Sequence, residues 1–507
     1  MKKILIFLIL TLTLLSLSAV SAAENATDAV ELDDNADIIL DDASPVNASD
    51  AVANSTEDNV VQESEISAKP TTGYEKFTTQ FSVTLTSNGT ALASKPVTIS
   101  LNKQTYDRVT DDNGTVTLNV KLTKGTYTAT FSFLGDENYT ASNGTAKITV
   151  KSPYNTKLSV ADKNINYRQG SKSVFIVRLL TTSGSAVKNQ QVTFKVNGKT
   201  YTGKTDSKGY AQIFLSLKKG THKVTYSFKA NNPYLSSSGS YSVKVKAPIA
   251  KGNGYWMWGE SMKKVNLKNL KNKGTKHIFL HSYSITLFGK SAVTSWIAKA
   301  AKYGIKVHIW MQIFYDGKWI SPINKDGTFK YTYMNKKIKL AKTYAKMKGV
   351  AGIHLDYTRF GGTAPNYGDA VKVINYFVKK ACVEVRKVKS NCIMSSSVMP
   401  EPGMTDYYYG QDIPTMTKYL DVIVPMAYKG NYHKTTTWLN YVTKAFVMDS
   451  NGAQVWTGLQ AYKSDSNAKR LSTSELLKDA KAAKSGGAKG VMLFRIGLTY
   501  ALNFNKV

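Results

Sequence analysis

The sequence predicts a multidomain architecture: two all-β, Ig-like sandwiches in tandem, then an α/β domain of the (β/α)8 barrel class. Three observations carry that expectation. The 507 residues exceed what a single domain ordinarily holds. Turn and strand blocks recur at a constant spacing of 95 residues between about 70 and 247, the mark of a duplicated module. From Gly252 onward, apolar strand candidates alternate with helical stretches eight times.

The N-terminus carries Lys2 and Lys3, an apolar run from Ile4 to Leu17, and small residues through Ala22 and Ala23. Residues 1–23 therefore read as a secretory signal peptide. The apolar run is short for a membrane span, and no later stretch approaches the ~18 apolar residues a spanning helix needs. The mature protein is expected to be secreted or cell-surface associated, soluble, and without a transmembrane segment once the signal is cleaved. Residues 24–68, rich in Asp, Asn, Ser and Ala, read as an acidic disordered spacer.

Charge is divided unevenly. Residues 24–66 hold 13 acidic side chains and no Lys or Arg, while the chain beyond them carries 65 basic against 22 acidic groups, a formal excess of 43. Such a body is drawn to polyanions at low salt. Export argues against nucleic acid and favours a polysaccharide or cell-wall glycan of anionic character; a lysine-rich surface that only confers solubility is the plainer reading. With two cysteines, Cys382 and Cys392, there is no disulfide framework, and two buried thiols are expected sooner than one bridge. No Cys/His cluster points to zinc, so neither metal nor cofactor is expected.

The repeats align without gaps. Thr110-Asp111-Asp112-Asn113-Gly114 recurs as Thr205-Asp206-Ser207-Lys208-Gly209, and Lys124-Gly125-Thr126-Tyr127 as Lys219-Gly220-Thr221-His222. Short alternating runs between Asn-Gly and Lys-Gly turns give an Ig-like sandwich over 69–152 and a second over 153–247. Seven Asn-x-Ser/Thr sequons precede residue 150 and none follows, compatible with a glycosylated stalk below a bare head. The Thr-Asp-x-x-Gly and Lys-Gly-Thr-Tyr blocks resemble the Ig-like modules of adhesin-like surface proteins of methanogenic archaea. That resemblance implies surface location and a spacer or adhesion role, with nothing catalytic.

In residues 252–507 the strand candidates are 255–258, 277–282, 306–311, 350–357, 392–398, 420–426, 454–459 and 490–495. Helical stretches lie between them, for example at 291–303, 333–347, 368–388 and 474–485. Eight alternations in about 250 residues fit a closed barrel whose reactive groups gather at the C-terminal strand ends. A doubly wound open sheet is the rival, but no Gly-rich phosphate loop follows the first strand.

The strand tips then define a candidate site. Aromatics, amides and carboxylates at one rim suit a sugar, with rings stacking on pyranose faces and two carboxyl groups flanking the scissile bond. Asp356, at the end of an alternating strand, is the candidate nucleophile or general base; its bland alternative is an ion pair with Arg359. Glu401 is its expected partner, by fold-level analogy to barrels that pair a strand-four Asp with a strand-five Glu, with Glu260 and Asp406 in reserve. Trp258, Glu260, His281, Trp310, Gln312, Arg359, Tyr428, Gln460 and Arg495 are expected to contact substrate. His281, His308 and His354 raise the thought of a metal, yet His308 and His354 lie deep in their strands, where hydrogen-bonded core histidines are commoner.

Gly352-Ile353-His354-Leu355-Asp356-Tyr357-Thr358-Arg359-Phe360 resembles the Gly-Ile-His-Leu/Phe-Asp-Tyr-x-Arg-Tyr block of glycoside-hydrolase-like TIM barrels, and 421–428 resembles their sixth-strand block. Phe360-Gly361 replaces the Tyr-Pro that often closes the first block. The resemblance covers about half the chain and implies a glycosidase fold, with Asp356 at the catalytic acid position; it does not name the sugar. The leading expectation is an exported glycoside hydrolase acting on a cell-wall or extracellular polysaccharide. The alternatives are a non-catalytic, carbohydrate-binding surface adhesin and, more remotely, a metal-dependent deacetylase or amidase.

Overall fold

The computed structural model describes residues 60–507. The stretch read as signal peptide, and most of the stretch read as acidic spacer, lie outside that range. Two all-β modules come first. In the first, Glu65–Ser67 and Thr115–Val120 flank Thr79–Ser87 in one sheet, while Thr71–Tyr74, Ser142–Lys151, Gly125–Phe133, Pro96–Leu101 and Gln104–Val109 form the other. Alternating side chains point inward from both sheets, so Phe81, Val83 and Leu85 share one apolar core with Ile99, Phe131 and Ile148. The first strand thus begins inside the segment assigned to the spacer. Ile66 explains this: it is only 6% exposed and belongs to the core, so one well-placed apolar residue recruits an otherwise polar, acidic stretch.

In the second module, Gln191–Val196, Lys199–Lys204, Tyr210–Leu215, Gly220–Phe228 and Ser237–Lys246 each start 95 residues after their counterparts. Its edge strand Tyr167–Arg168 pairs in parallel with Ser237–Lys246. The Asn-Gly signals are hairpin turns: Asn197 and Gly198 both take positive φ, 49° and 75°, as a two-residue turn matched to the strand twist requires.

The third part is a closed barrel of eight parallel strands: β1 (Gly254–Met257), β2 (His277–His281), β3 (Lys306–Gln312), β4 (Gly352–Asp356), β5 (Ile393–Val398), β6 (Val422–Ala427), β7 (Gln454–Gln460) and β8 (Gly490–Phe494), the last pairing back onto the first. Outward residues such as Leu280, Ile309, Ile353 and Leu355 pack against the surrounding helices. Inward residues Trp256, Phe279, Trp310, Val424, Trp456 and Met492 fill the lumen, making it a packed core. The helix Tyr283–Lys302 starts earlier than its apolar periodicity suggests, because Gly289, at φ 79°, kinks it in the middle.

The second module is locked to the barrel by a buried charge. Asp421, just before β6, accepts hydrogen bonds from Arg168 Nε (2.9 Å), Asn166 Nδ2 (2.8 Å), Arg386 Nη2 (2.8 Å) and the Met394 N–H (2.9 Å). Burial alone would favour its neutral form, but the two arginines and Lys246 hold its pKa well below the usual carboxylate range. A second link joins Asp162 to Lys379 (2.8 Å) and to the Tyr419 hydroxyl (2.5 Å). Cys382 and Cys392 are free, buried thiols. Among the described residues no helix is long and apolar enough to cross a membrane.

Candidate functional site

The C-terminal mouth of the barrel encloses a cavity of about 320 Å³, and Asp356 lies on its floor. Asp356 is the last residue of β4 and only 6% exposed. Oδ2 accepts the Trp310 indole N–H at 2.8 Å and Oδ1 the backbone N–H of Tyr357 at 2.8 Å. Tyr357 itself adopts φ 51°, a left-handed conformation that costs of order 1–3 kcal/mol for a residue with a side chain and marks functional sites when the surroundings enforce it. Burial raises the Asp356 pKa, opposed by those two N–H groups, the Arg359 charge and Ser397. Both oxygens already accept an N–H, which cannot turn round to accept. A proton on this carboxyl therefore points to Ser397 or into the cavity.

The floor beneath is neutral and hydrogen-bonded. Trp256 Nε1 donates to His354 Nε2 at 3.1 Å; this assigns the proton to Nδ1, which faces Ser395 Oγ at 3.0 Å. His354 is fully buried against Phe279, with ring centroids 3.9 Å apart, and burial holds its pKa well below the usual value. Deeper still, His277 and His308 pair at 2.9 Å. Among the described residues no group of three or more His, Cys, Asp or Glu is arranged to hold a metal ion.

Of the residues expected at the site, the structure brings Asp356, Trp258, Trp310, Gln312, Arg359 and Tyr428 together around the cavity. Trp258 and Trp310 lie 5.0 Å apart, ring to ring. Tyr428 is forced neutral by burial and by the neighbouring Asp356, so its hydroxyl is available as a hydrogen-bond donor. Asp356 and Arg359 do not form an ion pair; Arg359 stacks over Trp319, Tyr409 and Tyr357 instead.

The others sit outside the lining. Glu401 is not among the lining residues; its Oε1 accepts the hydroxyls of Tyr432 (2.8 Å), which does line the cavity, and of Tyr409 (3.1 Å), the latter on the short helix Thr405–Tyr409. Glu260 is exposed on a 3-10 turn after β1. His281 packs behind Trp258 and Trp310, at 4.3 and 4.7 Å, where burial lowers its pKa to about 4. Gln460 supports the wall indirectly, gripping Asn431 through both its amide atoms. Arg495 lies over the Trp258 ring at 5.8 Å.

Sequence reasoning missed the second carboxylate that does line the cavity. Asp465 sits in the turn of a small hairpin, Tyr462–Ser464 with Asn467–Arg470, inserted after β7. Its Oδ1 accepts the Tyr462 hydroxyl at 2.7 Å and its Oδ2 accepts Asn431 Nδ2 at 2.8 Å. The polar run Lys463-Ser464-Asp465-Ser466 carries a turn signal but no hint that it folds over the mouth. Ser397 and Met399, also lining residues, are positioned by the fully buried Gln411, whose side chain bonds the backbone of Thr358, Ser397 and Met399.

Residues 288–494 match the protein-family model described as "Putative glycosyl hydrolase domain". Over that span the barrel resembles a glycosyl hydrolase. The matched segment runs from the middle of the first long helix to the end of β8, so it includes Asp356, Glu401 and Asp465. No curated protein matches the chain in sequence. Among solved structures, the spore cortex-lytic enzyme SleL of Bacillus cereus is 12% identical, with a TM-score of 0.37, covering 52% of this chain and 76% of its own. A class V chitinase from Pseudomonas fluorescens Pf-5 is 15% identical, with a TM-score of 0.39, over 51% of this chain and 98% of its own. Fibronectin(III)-like modules of Clostridium thermocellum CbhA are 11% identical, with a TM-score of 0.24, over 36% of this chain and 95% of theirs. None of these structural likenesses bears on activity; the barrel is established by its own strand order.

Proposed function

We propose that the barrel is a glycoside hydrolase acting on a polysaccharide, with Asp356 as the proton-donating carboxyl and Asp465 as the carboxylate that works opposite it. One observation carries this reading: a buried carboxyl with a raised pKa and a second, polar-bonded carboxylate line one sugar-sized, aromatic-walled cavity at the barrel mouth. Two carboxyls in contrasting environments are what acid-catalysed glycosidic cleavage needs. Asp356 holds its proton longer because it is buried, and it can direct that proton only toward Ser397 or substrate. Asp465 lines the same cavity, where its two oxygens accept the Tyr462 hydroxyl and the Asn431 amide. The match to a glycosyl hydrolase family model supports the same reading.

The wider reading is of an exported enzyme, secreted or displayed at a cell surface on two Ig-like modules and directed at a cell-wall glycan. The signal-like N-terminus and the lysine-rich body support it.

The test is hydrolysis of a panel of wall polysaccharides by the chain from residue 24 onward, with Asp356→Asn, Asp465→Asn and Glu401→Gln alongside. Reducing-sugar release should fall at least a hundredfold with each aspartate change and stay within about fivefold of the parent for Glu401→Gln. The reverse order would restore Glu401 as the partner. Binding without any release by the parent chain would make this a carbohydrate-binding adhesin.

A further inference from the structure

Arg359 is a charge in the cavity wall with no ion-pair partner within 4.0 Å among the described residues. Its guanidinium is cradled by the rings of Trp319, Tyr409 and Tyr357, 4.6, 5.4 and 5.6 Å away. Its hydrogen bonding to the described residues amounts to Nη1 donating to the Phe360 carbonyl at 3.1 Å. Burial disfavours its charged form, and Asp356 is the largest opposing influence. A guanidinium offers about five N–H donors in a flat fork; one bond to the described residues leaves most of that capacity unspent in a residue that lines the cavity. Aromatic faces hold such a fork in place without neutralising it.

Resting on the hydrolase reading, we propose that Arg359 receives the carboxylate of a uronic acid residue, so that the substrate is an acidic polysaccharide. A planar, bidentate match to a carboxylate is the interaction this fork is shaped for. Two carboxyls share the cavity and would oppose an anion. Asp356 is biased by burial toward its neutral form, which lessens that opposition. The excess of 43 positive charges beyond residue 66 steers a polyanion toward the protein, while Arg359 would select where its carboxylate lands.

The experiment measures binding of polygalacturonate and polyglucuronate, each beside its carboxyl-reduced neutral counterpart, to the chain from residue 24 carrying Asp356→Asn to prevent cutting. About 0.3 M salt shortens the screening length to roughly 6 Å and mutes the general surface charge. At least one acidic polymer should bind tenfold or more tightly than its reduced form. Arg359→Gln should erase that difference without weakening the neutral polymer, Arg359→Lys should keep part of it, and Lys484→Gln, at the opposite end of the barrel, should leave it intact. The proposal is overturned if neither acidic polymer is preferred, if the preference survives Arg359→Gln, or if both polymer forms weaken alike. A sulfated neutral polymer that alone shows the Arg359-dependent preference would reassign the site to sulfate esters. Hydrolysis separates the two readings. Arg359-dependent binding with no cleavage of any polysaccharide ends the hydrolase and spares this recognition; cleavage of neutral polymers alone does the opposite.

Discussion

Replacing Arg168 by alanine removes the second module's main grip on the barrel, and the structure sets the size of the effect. Nε donates to Asp421 at 2.9 Å; Nη2 lies 2.8 Å from the same oxygen but without hydrogen-bonding geometry; Nη1 donates to the Ala247 carbonyl at 2.6 Å. One buried hydrogen bond to a charged group is worth roughly 1.5–3 kcal/mol and a neutral-acceptor bond about 1. Asp421 keeps Arg386, Asn166 and the Met394 N–H, so the full 3–5 kcal/mol of an orphaned buried charge does not apply. The expected loss is roughly 3 kcal/mol, which for a domain of this size lowers the melting midpoint by about 6–12 °C. All seven tryptophans lie between positions 256 and 456, so tryptophan fluorescence reports the barrel alone although the substitution sits in the β module. Arg178→Ala, whose contacts with Tyr210 and the Lys208 carbonyl stay within the module, should leave that signal unmoved. The pH behaviour has a definite sign. The folded pKa of Asp421 is depressed, so its contribution is present above the unfolded value of ~3.9 and is lost as pH falls below it toward the folded value. A fluorescence midpoint unchanged by Arg168→Ala would show that the contact carries no coupling, and the reasoning would fail.

Further outcomes follow from the cavity. Trp310→Phe keeps the ring but deletes the N–H on Asp356 Oδ2; kcat should drop about 10- to 100-fold, matching a lost charged hydrogen bond of ~1.5–3 kcal/mol. Since burial raises the Asp356 pKa, activity should decline as pH rises through a value above the ordinary carboxyl range. Arg359→Gln, by removing a charge that lowers that pKa, should shift the alkaline limb to higher pH; a shift to lower pH would contradict the assignment. Burial pushes the Cys382 and Cys392 thiols up to about 12 and about 11, so neither should react with a thiol reagent such as DTNB until denaturant opens the barrel; rapid labelling of the folded chain would count against the buried placement.

How much of this was legible beforehand depends on the length scale of the signal. The barrel strands were readable because each is a continuous apolar run bounded by turn residues, and their order around the ring follows chain order. Asp356, Trp310 and Gln312 were readable because period-two alternation assigns inward and outward faces within a strand; in the register, Gln312 stands opposite Asp356. The loops obey no such period. Glu401 and Asp465 are both short-range neighbours of a strand end, and only three-dimensional packing turns the first toward two tyrosines and the second over the mouth. The Tyr357 turn was equally silent, since nothing in an Asp-Tyr-Thr run announces a positive φ.

Arg168 meets Asp421 ahead of β6, and Gly452, ahead of β7, approaches Ser173 closely enough that an added methyl carbon would sit 3.1 Å from its hydroxyl. Both contacts are at the N-terminal ends of the barrel strands, whereas the cavity opens at their C-terminal ends. The module therefore grips the barrel like a handle fitted to the base of a cup. The mouth lies at the end of the barrel away from that grip, and no residue of the second module is among those that line it.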